Sequence, residues 1–128
     1  LCRAKGLRAC EMDFLHLDFP PASFDAVFAL NCLLHVPSAD LAQVLAAVHR
    51  LLRPGGLFFY GVYGGYSYEG VWPDDHHEPK RYFVFYTDDE LRDRAAVLFD
   101  EVSFRVIPIE GDNESHFQSL ILRPKELA

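Results

Sequence analysis

The chain has 128 residues, half of them apolar, and a formal net charge of −7, a size that suits one domain around a single core. Its basic residues are scattered (Arg50 with Arg53, Lys80 with Arg81, Arg92 with Arg94), which argues against the one-sided basic footprint of a nucleic-acid binder. No apolar run reaches the ~18 residues of a membrane helix, and no basic, apolar, small-residue leader opens the sequence.

The sequence starts on Leu1 rather than Met, which reads as part of a longer gene. Cys2, Cys10 and Cys32 are odd in number and lack Cys-x-x-Cys spacing. Neither a disulfide framework nor a zinc ribbon is favoured, so a reducing cytoplasm is the expected compartment. Residues 1–8 suggest a short helix stopping near Gly6. Ala9 to Leu15 reads as a strand, broken by Pro20-Pro21. Phe24 to Asn31 is a short apolar run between turn residues, the pattern of a parallel strand buried on both faces. A helix opens at Pro37-Ser38, with Ser38 as the expected N-cap and Asp40 in its first turn. Leu41, Val44, Leu45, Val48, Leu51 and Leu52 give it one apolar face, and Pro54-Gly55-Gly56 should stop it, with the glycines at positive φ.

Leu57 to Val62 is the next buried strand. Tyr63 to Tyr86 then reads as a long inserted loop, rich in Tyr, His and acids rather than linker residues; such loops are usually functional. Thr87 with Glu90 forms a capping box for another helix, which carries Leu91, Ala95 and Leu98 inward. Val102, Phe104 and Val106 alternate with polar neighbours along Glu101 to Ile109. Phe117 to Leu122 is a last strand, and the polar stretch Glu110 to Ser115 between the two is of hairpin length, making them antiparallel. The order of elements is α/β, in one domain over residues 1–128, with residues 63–86 as a substrate-facing insertion.

Three motifs in sequence carry a resemblance: Met12-Asp13-Phe14, then Phe24 to Asn31 with Leu34-His35, then Arg50 to Gly56. In this order and spacing the chain resembles class I S-adenosylmethionine-dependent methyltransferases over most of residues 9–62. The resemblance implies a partial Rossmann-like sheet, mostly parallel, ending in an antiparallel hairpin. It also implies S-adenosylmethionine as cofactor. Asp13 would accept from the adenine amino group, with Phe14 as an apolar edge. Asn31 and Cys32 would follow the strand that faces the methionine part, and His35 would lie beside them. Each has a plainer reading: Asp13 and Asn31 as turn residues, Cys32 as a small buried hydrophobe, His35 as a histidine bonded to backbone. Asp25 starts its strand at the end away from the ligand crevice and is assigned a structural role.

Within the insertion, His76, His77 and Tyr82 are the expected catalytic groups, able to orient an acceptor or take its proton. The aromatic excess (Tyr60, Tyr63, Tyr66, Tyr68, Trp72, Tyr82, Phe83, Phe85, Tyr86) suits an apolar or planar acceptor, and tyrosine faces also suit a cation; Tyr60 and Phe83 or Phe85 are read as core. No metal is expected, because adjacent His76 and His77 diverge in extended chain and no cysteine partner is near. The family's glycine-rich loop is missing: before Gly55 the one glycine is Gly6. The chain is therefore read as the C-terminal portion of the domain, a weak cofactor binder alone, with a sheet edge left exposed and open to self-association. The expected function is methyl transfer to a small molecule by the complete domain. The alternative is a degenerate, non-catalytic fold acting as a binding or oligomerisation module. A nicotinamide-dependent Rossmann enzyme needs the same glycine loop and typically a Tyr-x-x-x-Lys pair, which this chain lacks.

Overall fold

The computed structural model describes residues 3–126; Cys2, weighed above as a thiol, lies outside them. Its main sheet has four strands in the order β1-β2-β6-β5. These are β1 (Phe24–Leu30), β2 (Leu52–Gly64), β5 (Phe99–Pro108) and β6 (His116–Pro124). A separate two-stranded hairpin pairs β3 (Tyr68–Val71) with β4 (Tyr82–Phe85). Helix α1 (Ser38–Leu51) crosses from β1 to β2, and α2 (Asp88–Ala95) leads into β5. The crossover makes β1 and β2 parallel, whereas β6 runs antiparallel to both β2 and β5. The α/β architecture with its C-terminal antiparallel hairpin is the expected one. Among the described residues no helix is long and apolar enough to cross a membrane.

The core lies on one face of the sheet. Helix α1 buries Leu41, Val44, Leu45 and Val48 in one cluster with Phe58 and Tyr60 of β2 and Leu120 and Leu122 of β6. Phe58 stacks on Tyr60 at 5.4 Å and meets Phe99 at 5.5 Å. Leu91 and Ala95 of α2 complete this layer. Each such side chain contributes roughly 1.5–3 kcal/mol when fully buried. At the far end His49 of α1 lies 2.8 Å from the Lys125 carbonyl and joins the last strand to the helix.

Several expectations are corrected. Residues 9–15 form no strand: among the described residues the main sheet ends at β1 and has no further strand on that side. The residues that follow are held to α1 by Arg50, which donates from Nη1 to the Phe19 carbonyl (2.9 Å) and from Nη2 to that of Leu17 (3.0 Å). Strand β1 is an edge strand covered on one face only, and Phe28 and Leu30 are 70% and 51% exposed on the other. The N-cap of α1 is Pro37, not Ser38. The two glycines do not end α1 but form an irregularity in β2, where the pairing with β1 jumps from Leu52 to Leu57. Gly55 holds φ +79°, while Gly56 comes so near β1 that a Cβ would lie 2.8 Å from the Asp25 carbonyl oxygen. Asp25 pairs with Arg53 across this irregularity at 2.8 Å, both exposed, so the pair contributes at most about 1 kcal/mol. The 63–86 insertion is not structureless, since it carries the β3–β4 hairpin.

Candidate functional site

Ligands of open α/β sheets gather at the carboxyl ends of the parallel strands. At that end of β1, Asn31 turns the chain with φ +53° while its backbone N–H donates to the Gly61 carbonyl (2.8 Å). Asn tolerates this left-handed geometry better than most residues. Cys32 is half-buried, and burial pushes its thiol up from the usual value. Its carbonyl accepts from the His35 N–H in the short helical turn Leu33–His35. The His35 ring leaves this turn for the hairpin: Nδ1 is 2.9 Å from the Tyr82 carbonyl, and the ring lies 4.7 Å from that of Phe83. A carbonyl only accepts, so Nδ1 carries the proton and His35 ties the strand end to β4.

A second tie comes from Glu69 on β3. It accepts from the backbone N–H and hydroxyl of Ser38, at the start of α1, and from the Tyr82 hydroxyl at 2.7 Å. Glu69 thereby does for α1 what an N-cap side chain would. These bonds hold the Glu69 carboxyl below its ordinary range, and donating to it raises the Tyr82 phenol to about 12. Tyr82 is thus engaged by Glu69 and stays protonated at neutral pH. Nothing in the spacing of Ser38, Glu69 and Tyr82 announces this contact.

Beyond the hairpin, residues 72–81 fold into a turn closed by Asp75. Its carboxylate accepts from Nε, Nη2 and the backbone N–H of Arg81, each at 2.9 Å, and from the His77 N–H. The Arg81 side chain bonded to it drives the Asp75 carboxyl well below the ordinary carboxylate range. His77 is folded into the same turn, with Nδ1 3.0 Å from the Pro79 carbonyl. His76 is exposed and makes no hydrogen bond among the described residues. It lines a hollow of about 330 Å³ together with Leu34, Tyr63, Trp72, Asp74 and Phe83. Trp72 meets Phe85 at 5.8 Å and Phe83 at 6.3 Å, in both cases edge to face. A smaller hollow of about 180 Å³ adjoins it and shares Tyr63, Trp72 and Phe85.

The residues expected at the cofactor are spread along the neighbouring edge. Phe14 and Cys32 line one apolar groove of about 290 Å³, beside Phe28 and Leu33. Asp13 is exposed, with Oδ1 accepting from the Leu15 N–H (2.8 Å) and Oδ2 without a partner among the described residues. Asn31 and His35 do not line this groove. The candidate residues therefore fall into two separate places. One is an aromatic hollow with His76; the other is an apolar groove with Phe14, Cys32 and the nearby Asp13.

A crossover helix between parallel strands, a crevice at their carboxyl ends and a terminal antiparallel hairpin define a Rossmann-like domain of the methyltransferase type. Residues 2–60 match the model of the methyltransferase domain family. The chain is 37% identical over 93 residues to the sterol 24-C-methyltransferase ERG6B of Gibberella zeae, an alignment covering 73% of this chain and 22% of that protein. It is 47% identical over 51 residues to the sterol 24-C-methyltransferase of Aspergillus fumigatus, covering 40% of this chain and 12% of the relative. The chain thus spans about a fifth or less of these curated relatives.

Among solved structures it is similar to the PH0226 protein of Pyrococcus horikoshii, with a TM-score of 0.73 and 16% identity over 97% of this chain and 63% of that one. A second neighbour is the 1,6-didemethyltoxoflavin-N1-methyltransferase of Burkholderia thailandensis, solved with 1,6-didemethyltoxoflavin and S-adenosylhomocysteine bound. There the TM-score is 0.71 at 24% identity, over 90% of this chain and 49% of that one. The [4+2]-cyclase SpnF shares the fold too, with a TM-score of 0.71 and 15% identity over 96% of this chain and 60% of that one. Over residues 2–60 the chain thus matches the methyltransferase domain family, and it shares the Rossmann-like fold of S-adenosylmethionine-dependent methyltransferases.

Proposed function

We propose that the protein carrying this chain transfers a methyl group from S-adenosylmethionine to a small molecule seated in the aromatic hollow. One observation carries the reading: an aromatic-walled cavity with an unengaged imidazole opens at the carboxyl ends of the parallel strands, where this sheet architecture binds ligands. The groups present fit two parts of the cofactor. The free Oδ2 of Asp13 suits an exocyclic amine, and the Phe14–Cys32 groove suits a flat apolar edge. When bound, the cofactor supplies an electrophilic methyl carbon on a sulfonium.

This chain's own task is then to position the acceptor and manage a proton. Trp72, Phe83 and Phe85 hold the acceptor's body. His76 is the group free to take a proton from it. His77 and Tyr82, both engaged in local hydrogen bonds, act by shaping the turn and fixing the hairpin on α1. Asn31 and His35 set the strand end and the hairpin's seat. Radiolabelled methyl transfer from the cofactor to a small-molecule extract, by the full-length protein, tests this. Label in a released small molecule supports it; label retained wholly in the donor refutes it.

A second reading rests on the open β1 edge. Its exposed Phe28 and Leu30 form a surface on which a copy of the chain can pair, giving a binding or oligomerisation module. Light scattering of the chain over a range of concentrations checks it. Association that Phe28→Lys abolishes supports this second reading, and a monomer at every concentration counts against it.

A further inference from the structure

Building on the reading of the aromatic hollow as the acceptor site, we propose that it selects an organic cation, a substrate carrying an ammonium nitrogen. The first observation is its wall. Trp72 meets Phe83 and Phe85 edge to face, at interplanar angles of 72° and 73°, so these rings are not stacked on one another. The negative faces of such rings attract cations. Arg81 already rests over the Phe83 ring, 5.3 Å from its centre, so this cluster accommodates positive charge.

The second observation is charge. Asp74 and Asp75 both border the hollow, yet their engagements differ. Asp75 is held by Arg81 through three hydrogen bonds, whereas Asp74 has no hydrogen bond or ion pair among the described residues. Among the described residues no Lys or Arg lines the hollow itself, and the Arg81 guanidinium on Phe83 is paired with Asp75. An anion would meet an uncompensated carboxylate and electron-rich rings. A neutral apolar body would gain the rings alone, and a cation gains the rings and Asp74 together. Space is adequate: about 330 Å³ is room for on the order of ten waters at ~30 Å³ each.

The test needs no cofactor. Trp72 is the chain's one tryptophan, so its emission reports on the wall directly. The full-length protein, with its Trp72→Phe variant as the emission blank, is titrated with choline and with choline's neutral carbon isostere, in which a tert-butyl group replaces the trimethylammonium. Choline is expected to bind roughly threefold to tenfold tighter. Asp74→Asn should shrink that preference and Asp74→Glu keep it, with unchanged far-ultraviolet circular dichroism in both. Equal binding of the two probes, no response to choline, or a preference that Asp74→Asn leaves intact overturns the proposal. Any of these leaves the methyl-transfer reading standing. Conversely, absent label transfer alongside choline selectivity defeats that reading and keeps the cation site.

Discussion

Asp74 and Asp75 are chemically identical neighbours with different roles, and the difference lies in what each side chain reaches. Asp75 closes the turn through Arg81, and the bonded guanidinium favours its ionised form. A carboxyl depressed in the folded state stabilises that state in full above the ordinary carboxyl value of ~3.9, a contribution lost progressively as pH falls from there through the lowered value. Trp72 emission is therefore expected to stay flat from pH 7 down to about 4; a transition centred in the ordinary carboxyl range would contradict the pairing. Asp75→Asn should red-shift that emission and weaken the near-ultraviolet dichroism while helix and sheet signals persist. An unchanged emission spectrum would show that Arg81 does not hold this turn. The sequence marks these acids and histidines as a group. It does not tell which are free, because hydrogen bonds such as those from Arg81 to Asp75 depend on how the turn closes.

At the scale of elements, local rules are legible where a segment supplies its own partners. The capping box is one case. Thr87 accepts from the Glu90 N–H at 3.2 Å and the Glu90 side chain from the Thr87 N–H at 3.1 Å, as the Thr-x-x-Glu spacing requires. Thr87→Ala should cost about 1 kcal/mol, read as a fall of a few degrees in melting temperature; no change would mean the cap is dispensable. The helical face of α1 and the β5–β6 hairpin were legible for the same reason.

Elements that depend on distant partners were not. Residues 9–15 have strand composition but no neighbouring strand. The start of α1 is completed by Glu69, a residue 31 positions away. The glycine pair shows a finer version of the same limit. Both glycines read as a helix stop, yet Gly55 answers to its own positive φ and Gly56 to the nearness of β1. Chemical denaturation should give Gly55→Ala a loss of about 1 kcal/mol from backbone strain. Gly56→Ala should lose at least twice that, roughly 2–3 kcal/mol, from the clash with the Asp25 carbonyl. The reverse order would contradict the proposed β1–β2 approach.

For the whole molecule, one face of a four-stranded sheet carries the core, and the carboxyl ends of its parallel strands border the hollow proposed to receive the acceptor. The fold was readable because Phe24 to Asn31, the α1 face and the Arg50 to Gly56 segment are each written in local patterns, and their order is that of the family. The site was readable only in outline. His76 and the aromatic residues were visible as composition, but the hairpin that gathers them is held by Glu69, His35 and Asp75 through contacts no spacing announces. If this hollow receives the methyl acceptor, a histidine on its rim is needed for turnover. The direct measurement is the rate of radiolabelled methyl transfer to small molecules by the full-length protein and by its His76→Ala/His77→Ala double variant, both verified as folded. The account predicts a fall of at least tenfold in the variant, in keeping with the 10²–10⁴-fold typical of a positioned acid or base. Full transfer by the double variant would contradict it.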